Sequence, residues 1–206
     1  MYRMKTLFEE SQGAAEWARG YAGRMVELLQ ALDADAVAAV IDAIDAASLE
    51  KRTLFVVANG GSSAVASHLV NDLGPNSLVP RQSRFRVYSL SDNVESVTAI
   101  ANDSGYENVF AYQLEANLEP GDLVLAMSVS GNSPNILKAV EYARANGGRT
   151  IGWTGFDGGR LAEMVDLSVR FPTTRDEYGP VEDMFAILVH VVAGYLAMKR
   201  GRNLHH

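Results

Sequence analysis

The chain has 206 residues, 48% of them hydrophobic and 21% charged. That is the length of one domain, or of one domain with an extension, and the composition excludes wholesale disorder. Lys and Arg number 18 against 25 Asp and Glu, a net charge of −7 that argues against nucleic-acid or membrane-surface partners. Cysteine is absent, so disulfides, thiolate catalysis and Cys-ligated metal centres are excluded, and a cytoplasmic location is expected.

The start, Met1-Tyr2-Arg3-Met4-Lys5, lacks the apolar run of a signal peptide. Residues 3–50 contain no Pro, and Ala22, Met25, Val26, Leu29 and Leu32 recur at helical spacing. Asp33-Ala34-Asp35 reads as a break and cap before a second helix, Ala36 to Leu49. Residues 1–50 are therefore expected to form a helical pair that serves packing or assembly.

From residue 53 short apolar runs alternate with helical segments. The runs are Thr53–Ala58, Arg86–Leu90, Asp122–Met127, Arg149–Thr154 and Leu167–Arg170. This alternation predicts βαβ units in residues 51–200: an α/β, three-layer αβα fold on a five-stranded parallel sheet. The stretch Met184 to Met198 is apolar but too short to span a bilayer, and His190 within it favours a core helix. Pro80 to Arg86 is the one basic cluster and reads as a solvated loop before a strand. Residues 201–206 are a tail, with Asn203 to His206 set aside as a possible tag remnant.

Ligands of such sheets bind beyond the carboxyl ends of the strands, in the turns that lead to helices. The first turn is Asn59-Gly60-Gly61-Ser62-Ser63, and the second is Ser128-Val129-Ser130-Gly131-Asn132-Ser133-Pro134. Ser133 and Pro134 have the order of an N-cap and a first helical position. Hydroxyls, glycines and helix starts suit a phosphate monoester, with no Lys or Arg in either turn. The P-loop, dinucleotide-binding and hydrolase-elbow patterns are all missing.

Apart from the terminal pair, the histidines are His68 and His190. Asp72 follows His68 at i+4, on one helix face. Glu182 and Asp183 precede His190 by eight and seven residues, so either acid can share its face. Two His and two carboxylates make a plausible zinc-type ligand set. The same spacings also suit a local His–Asp hydrogen bond and a satisfied core histidine.

The order Asn59-Gly60-Gly61-Ser62, His68-x-x-x-Asp72, Asn102-Asp103, Ser128-x-Ser130-Gly131-Asn132-Ser133, Glu182 and His190 resembles the phosphoheptose isomerases. These belong to the SIS (sugar isomerase) domain proteins. The resemblance implies a homotetramer that isomerises a ketose phosphate, sedoheptulose 7-phosphate, to an aldose phosphate through an enediol. It places Asn59, Gly60, Gly61, Ser62, Asn102, Asp103, Ser128, Val129, Ser130, Ser133 and Glu182 against substrate. It puts a divalent metal, zinc by expectation, on His68, Asp72, Glu182 and His190, and the catalytic base and acid on Asp72 and His190.

Asp72 stands where the family has Glu, Glu182 where it has Gln, and Val129 where it has Thr. Gly179 matches a further family acid, whose contact is expected to be lost or taken by Asp176 or Glu177. A non-catalytic SIS tetramer that binds a phosphosugar or a replication-initiator-type protein is the competing reading. Another SIS isomerase, on arabinose 5-phosphate or a hexulose phosphate, is a third.

Overall fold

A computed structural model describes residues 3–77, 79 and 82–202. The helices are α1 (Arg3–Glu10), α2 (Ala14–Gln30), α3 (Ala34–Leu49), α4 (Gly60–Leu73), α5 (Val94–Ser104), α6 (Ala111–Asn117), α7 (Pro134–Ala145), α8 (Gly159–Met164) and α9 (Tyr178–Lys199). The strands are β1 (Thr53–Ala58), β2 (Arg86–Ser89), β3 (Leu123–Ser128), β4 (Arg149–Thr154) and β5 (Leu167–Arg170). They form one parallel sheet in the order β2-β1-β3-β4-β5.

Strands β1 and β3, at the middle of the sheet, are apolar on both faces, as a sheet covered on both sides requires. Leu54, Val56 and Ala58 of β1, with Leu123, Leu125 and Met127 of β3, pack under α3, α4 and α9. Phe55, Val57, Val124 and Ala126 face the other way, toward α6, α7 and α8. This is the expected three-layer αβα architecture. Helix α9 is long and apolar enough to cross a membrane by composition, yet Met184, Phe185, Leu188, Val189 and Val192 are buried against the sheet.

The leading helical region divides once more than the sequence pattern suggests, at Ser11 to Gly13 between α1 and α2. Asp33 caps α3 as anticipated, its carboxylate accepting the Ala36 N–H at 2.9 Å. Val40, Ile41 and Ile44 of α3 join the main core. Of the basic stretch, Pro80 and Arg81 lie outside the described residues, as do Asn203 to His206 of the tail. Residues 82–85 form a loop held by Arg200, which donates to the Ser83 carbonyl and lies 3.7 Å over the Phe85 ring.

Helices α1 and α2 clasp the segment that enters α9. Arg24 donates to Glu177 at 2.5 Å, and the Glu177 side chain is fully buried. Asp176 accepts the backbone N–H groups of Arg3 and Lys5 at 3.1 and 2.9 Å. Tyr21 donates to Asp183 at 2.5 Å; burial, with Asp183 beside it, raises the phenol above its ordinary value.

Candidate active site

The strand order reverses direction between β1 and β3, and ligands of doubly wound sheets bind at such a switch point. There the two Ser/Gly turns meet around a cleft of about 280 Å³. It is lined by Asn59, Gly60, Gly61 and Ser62 from the first turn and Ser128, Val129, Ser130 and Ser133 from the second. Met127, Tyr178 and Glu182 complete the wall. Nine of the expected substrate residues thus come together, and none of the lining residues is Lys or Arg.

The turns are shaped by their own hydrogen bonds. Gly60 has φ +52° and Gly131 φ +64°, the left-handed region that glycine enters without strain. The Ser128 hydroxyl accepts the Gly131 N–H at 3.1 Å. A Cβ on Gly131 would overlap the Gly158 carbonyl, so the second turn is wedged against the β4–α8 loop. Asn59 and Ser133 occupy the N-cap positions of α4 and α7, and neither side chain makes a capping bond. Both helices therefore point the positive ends of their dipoles at the cleft, and α4 adds the N–H groups of its first turn, whereas α7 starts with Pro134 and its Ile136 N–H is bonded to Ser133 and Asn135. This arrangement can hold a dianionic phosphate without a charged clamp.

Helices α4 and α9 run in parallel away from the cleft. Near their starts Ser62 donates to Glu182 at 3.0 Å, and Gly61 gives the carboxylate the space a Cβ would fill. Further along, His68, Asp72 and His190 gather, with potential ligand atoms all within 4.8 Å of one another. His68 Nε2 is 3.4 Å from Asp72 Oδ2, and the two imidazoles meet edge to face at 4.8 Å between centroids. Both histidines are exposed and Asp72 is half-buried. Two imidazole nitrogens and a carboxylate oxygen suit a divalent transition ion. Glu182 lies outside that group of three, bonded to Ser62.

The choice between Glu182 and Asp183 follows from the fold. Glu182 faces the cleft, whereas Asp183 faces Tyr21. Asp176 and Glu177 are taken up by α1 and α2, and a Cβ at Gly179 would come within 3.1 Å of the Tyr21 hydroxyl. Asn102 and Asp103 bond each other at 2.7 Å on exposed α5 and are not among the cleft-lining residues.

Sequence reasoning did not single out Tyr106, Asn135 or Tyr178. Tyr178 lines the cleft, and Tyr106 and Asn135 both bond Asn59. Asn135 had a signal: it is a polar residue directly after the Pro134 that starts α7, on a turn facing the sheet.

An SIS-domain family model matches residues 19–155. A phosphoheptose isomerase of Rhodospirillum rubrum is 40% identical over 136 residues, 66% of this chain and 71% of that protein. A second, from Geotalea daltonii, is 38% identical over 160 residues, 78% of this chain and 82% of its own length. The chain belongs to the phosphoheptose isomerase family. A solved phosphoheptose isomerase from Neisseria gonorrhoeae superposes with a TM-score of 0.82 at 23% identity, covering 89% of this chain and 98% of that one. One from Francisella tularensis gives 0.79 at 26%, with 89% and 96% coverage. The SIS match ends before α9, the helix that carries Glu182 and His190.

Proposed function

We propose that this chain is a cytoplasmic aldose–ketose isomerase that converts sedoheptulose 7-phosphate to a D-glycero-heptose 7-phosphate through an enediol. The observation that carries this reading is the spacing of the two chemistries along α4 and α9. From Ser62 to His68 and from Glu182 to His190 the rise is roughly 9 to 12 Å. An extended seven-carbon chain with its phosphate in the cleft reaches that far with its carbonyl end.

The phosphate would rest on the Ser62, Ser128, Ser130 and Ser133 hydroxyls and the starts of α4 and α7. Asn59, Gly60 and Gly61 would contact the sugar, as would Asn102 and Asp103 on closer approach of α5. Asp72 would take a proton from C1 of the ketose and return it to C2, a task suited to one carboxylate facing both carbons. His190 would move the hydroxyl proton from O1 to O2. His68, Asp72 and His190, with Glu182 turning from Ser62, would hold a divalent metal, zinc by preference. Such an ion supplies polarisation of the substrate oxygens.

A homotetramer with sites at subunit interfaces fits the exposed apolar stripe Val191, Tyr195 and Met198 on α9, beside exposed His190. Light scattering would return four times the chain mass. The decisive assay is incubation with sedoheptulose 7-phosphate, with zinc and with a chelator, followed by NMR of the aldose phosphate. Chelator-sensitive turnover is expected. No turnover in any metal condition would remove this substrate, and failure across a panel of phosphosugars would favour the regulatory tetramer.

A further inference from the structure

Asn59 stands at the corner between the cleft and a neighbouring hollow of about 630 Å³, which it shares with Tyr106, Ser133, Asn135 and Lys138. Its side-chain amide is held from two sides. Asn59 Nδ2 donates to Asn135 Oδ1 at 3.0 Å, and Asn135 Nδ2 donates back to Asn59 Oδ1 at 2.8 Å. The Tyr106 hydroxyl donates to the same Oδ1 at 2.9 Å. Asn135 is 2% exposed, so its polar atoms must be satisfied inside the protein.

The orientation of this pair is dictated by the backbone. The Ile136 N–H, in the first turn of α7, donates to Asn135 Oδ1 at 3.1 Å. An N–H can only donate, so the oxygen of Asn135 must face it, and the nitrogen must face Asn59. Asn59 is then fixed with its oxygen toward Asn135 Nδ2 and Tyr106. Both acceptor positions of that oxygen are filled. One hydrogen of Nδ2 goes to Asn135, and the other is the only polar group left for a ligand.

We propose that Asn135 and Tyr106 are positioning residues that lock Asn59 as an obligate hydrogen-bond donor to an oxygen of the bound sugar phosphate. The proposal rests on the isomerase reading for its ligand. The lock ties the first turn to the second, so the two walls of the cleft keep one spacing.

The test is steady-state kinetics on sedoheptulose 7-phosphate with the metal-loaded enzyme, for Asn59→Ala, Asn135→Ala, their double variant, Asn135→Asp and Tyr106→Phe. Asn135→Asp keeps the size and the acceptor for Ile136 but turns an oxygen toward the Asn59 oxygen. KM is expected to rise roughly 10- to 100-fold in Asn59→Ala, Asn135→Ala and Asn135→Asp. The double variant should fall no further than either alanine variant, and Tyr106→Phe should lose a few-fold. A merely structural Asn135 would lower the active fraction, and so the apparent kcat, with KM unchanged. That outcome, or losses that multiply in the double variant, overturns the proposal.

A second readout needs no turnover. In the wild-type protein the two Asn59 amide hydrogens should exchange with water at different rates by ¹⁵N NMR, the one bonded to Asn135 more slowly. Asn135→Ala should make them equal. Equal rates in the wild type overturn the lock, whereas an inactive protein with unequal rates removes the isomerase reading alone.

Discussion

The anion cradle is made from backbone and small neutral side chains at the ends of β1 and β3. The His68, Asp72 and His190 group is made from titratable side chains on the faces of α4 and α9. The first is fixed by the sheet, with Gly131 packed on Gly158 and Ser128 bonded within its own turn. The second is open to solvent, with both imidazoles exposed. Grip can thus be built into a rigid framework, while the groups proposed to move protons sit where their surroundings can still be completed. Changes in the cradle should act on KM, and changes in the cluster on kcat.

The largest expected effect is that of Asp72→Asn, which removes the proposed base with almost no change of shape. A fall in kcat of about 10²- to 10⁴-fold is expected in the NMR turnover assay, with KM little moved. Wild-type turnover in this variant would break the division outright. Gly131→Ala comes next, because it forces a side chain into positive φ against a backbone carbonyl. A loss of about 2 kcal/mol or more, lowering Tm by about 4–8 °C, should accompany weakened phosphate binding.

Ser133→Ala deletes one hydroxyl while sparing the turn. KM should rise about 10-fold or more with kcat nearly unchanged, since bonds to charged groups are worth about 1.5–3 kcal/mol. Val129→Thr should have the smallest effect. Val129 lines the cleft yet is 4% exposed, so an added hydroxyl must find a partner there. A few-fold lower KM would sharpen the comparison, and a lower Tm with unchanged KM would show the hydroxyl buried and unserved.

Much of this was legible in the sequence because strands and turns are local. The expected runs at Thr53–Ala58, Arg149–Thr154 and Leu167–Arg170 match β1, β4 and β5 end to end. The run given as Arg86–Leu90 ends one residue sooner, and that given as Asp122–Met127 is displaced by one. Asp122 reads as a strand start but turns its carboxylate to the Thr53 and Glu119 N–H groups. Contacts between distant segments were not legible. Spacing on one helix allowed either Glu182 or Asp183 to accompany His190, and the side of α9 that Tyr21 occupies decides it. The Asn59–Asn135 pair joins residues 76 apart, which no local pattern reports.

The clasp of α1 and α2 on residues 174–183 bears on how the chain could be shortened. The SIS match ends at residue 155 and begins at residue 19, so a domain cut to that span would keep the two Ser/Gly turns. It would lack α9, and with it Tyr178 and Glu182. Retaining α9 but trimming the first two helices would strand Glu177, a buried carboxylate whose guanidinium partner Arg24 comes from α2. The leading helices are in effect a doorpost: Tyr21 and Arg24 hold the start of α9, the helix that brings Tyr178 and Glu182 to the cleft. A shortened version that keeps the site therefore has to run past the end of the SIS match to keep α9, and has to keep Arg24 as the partner of Glu177.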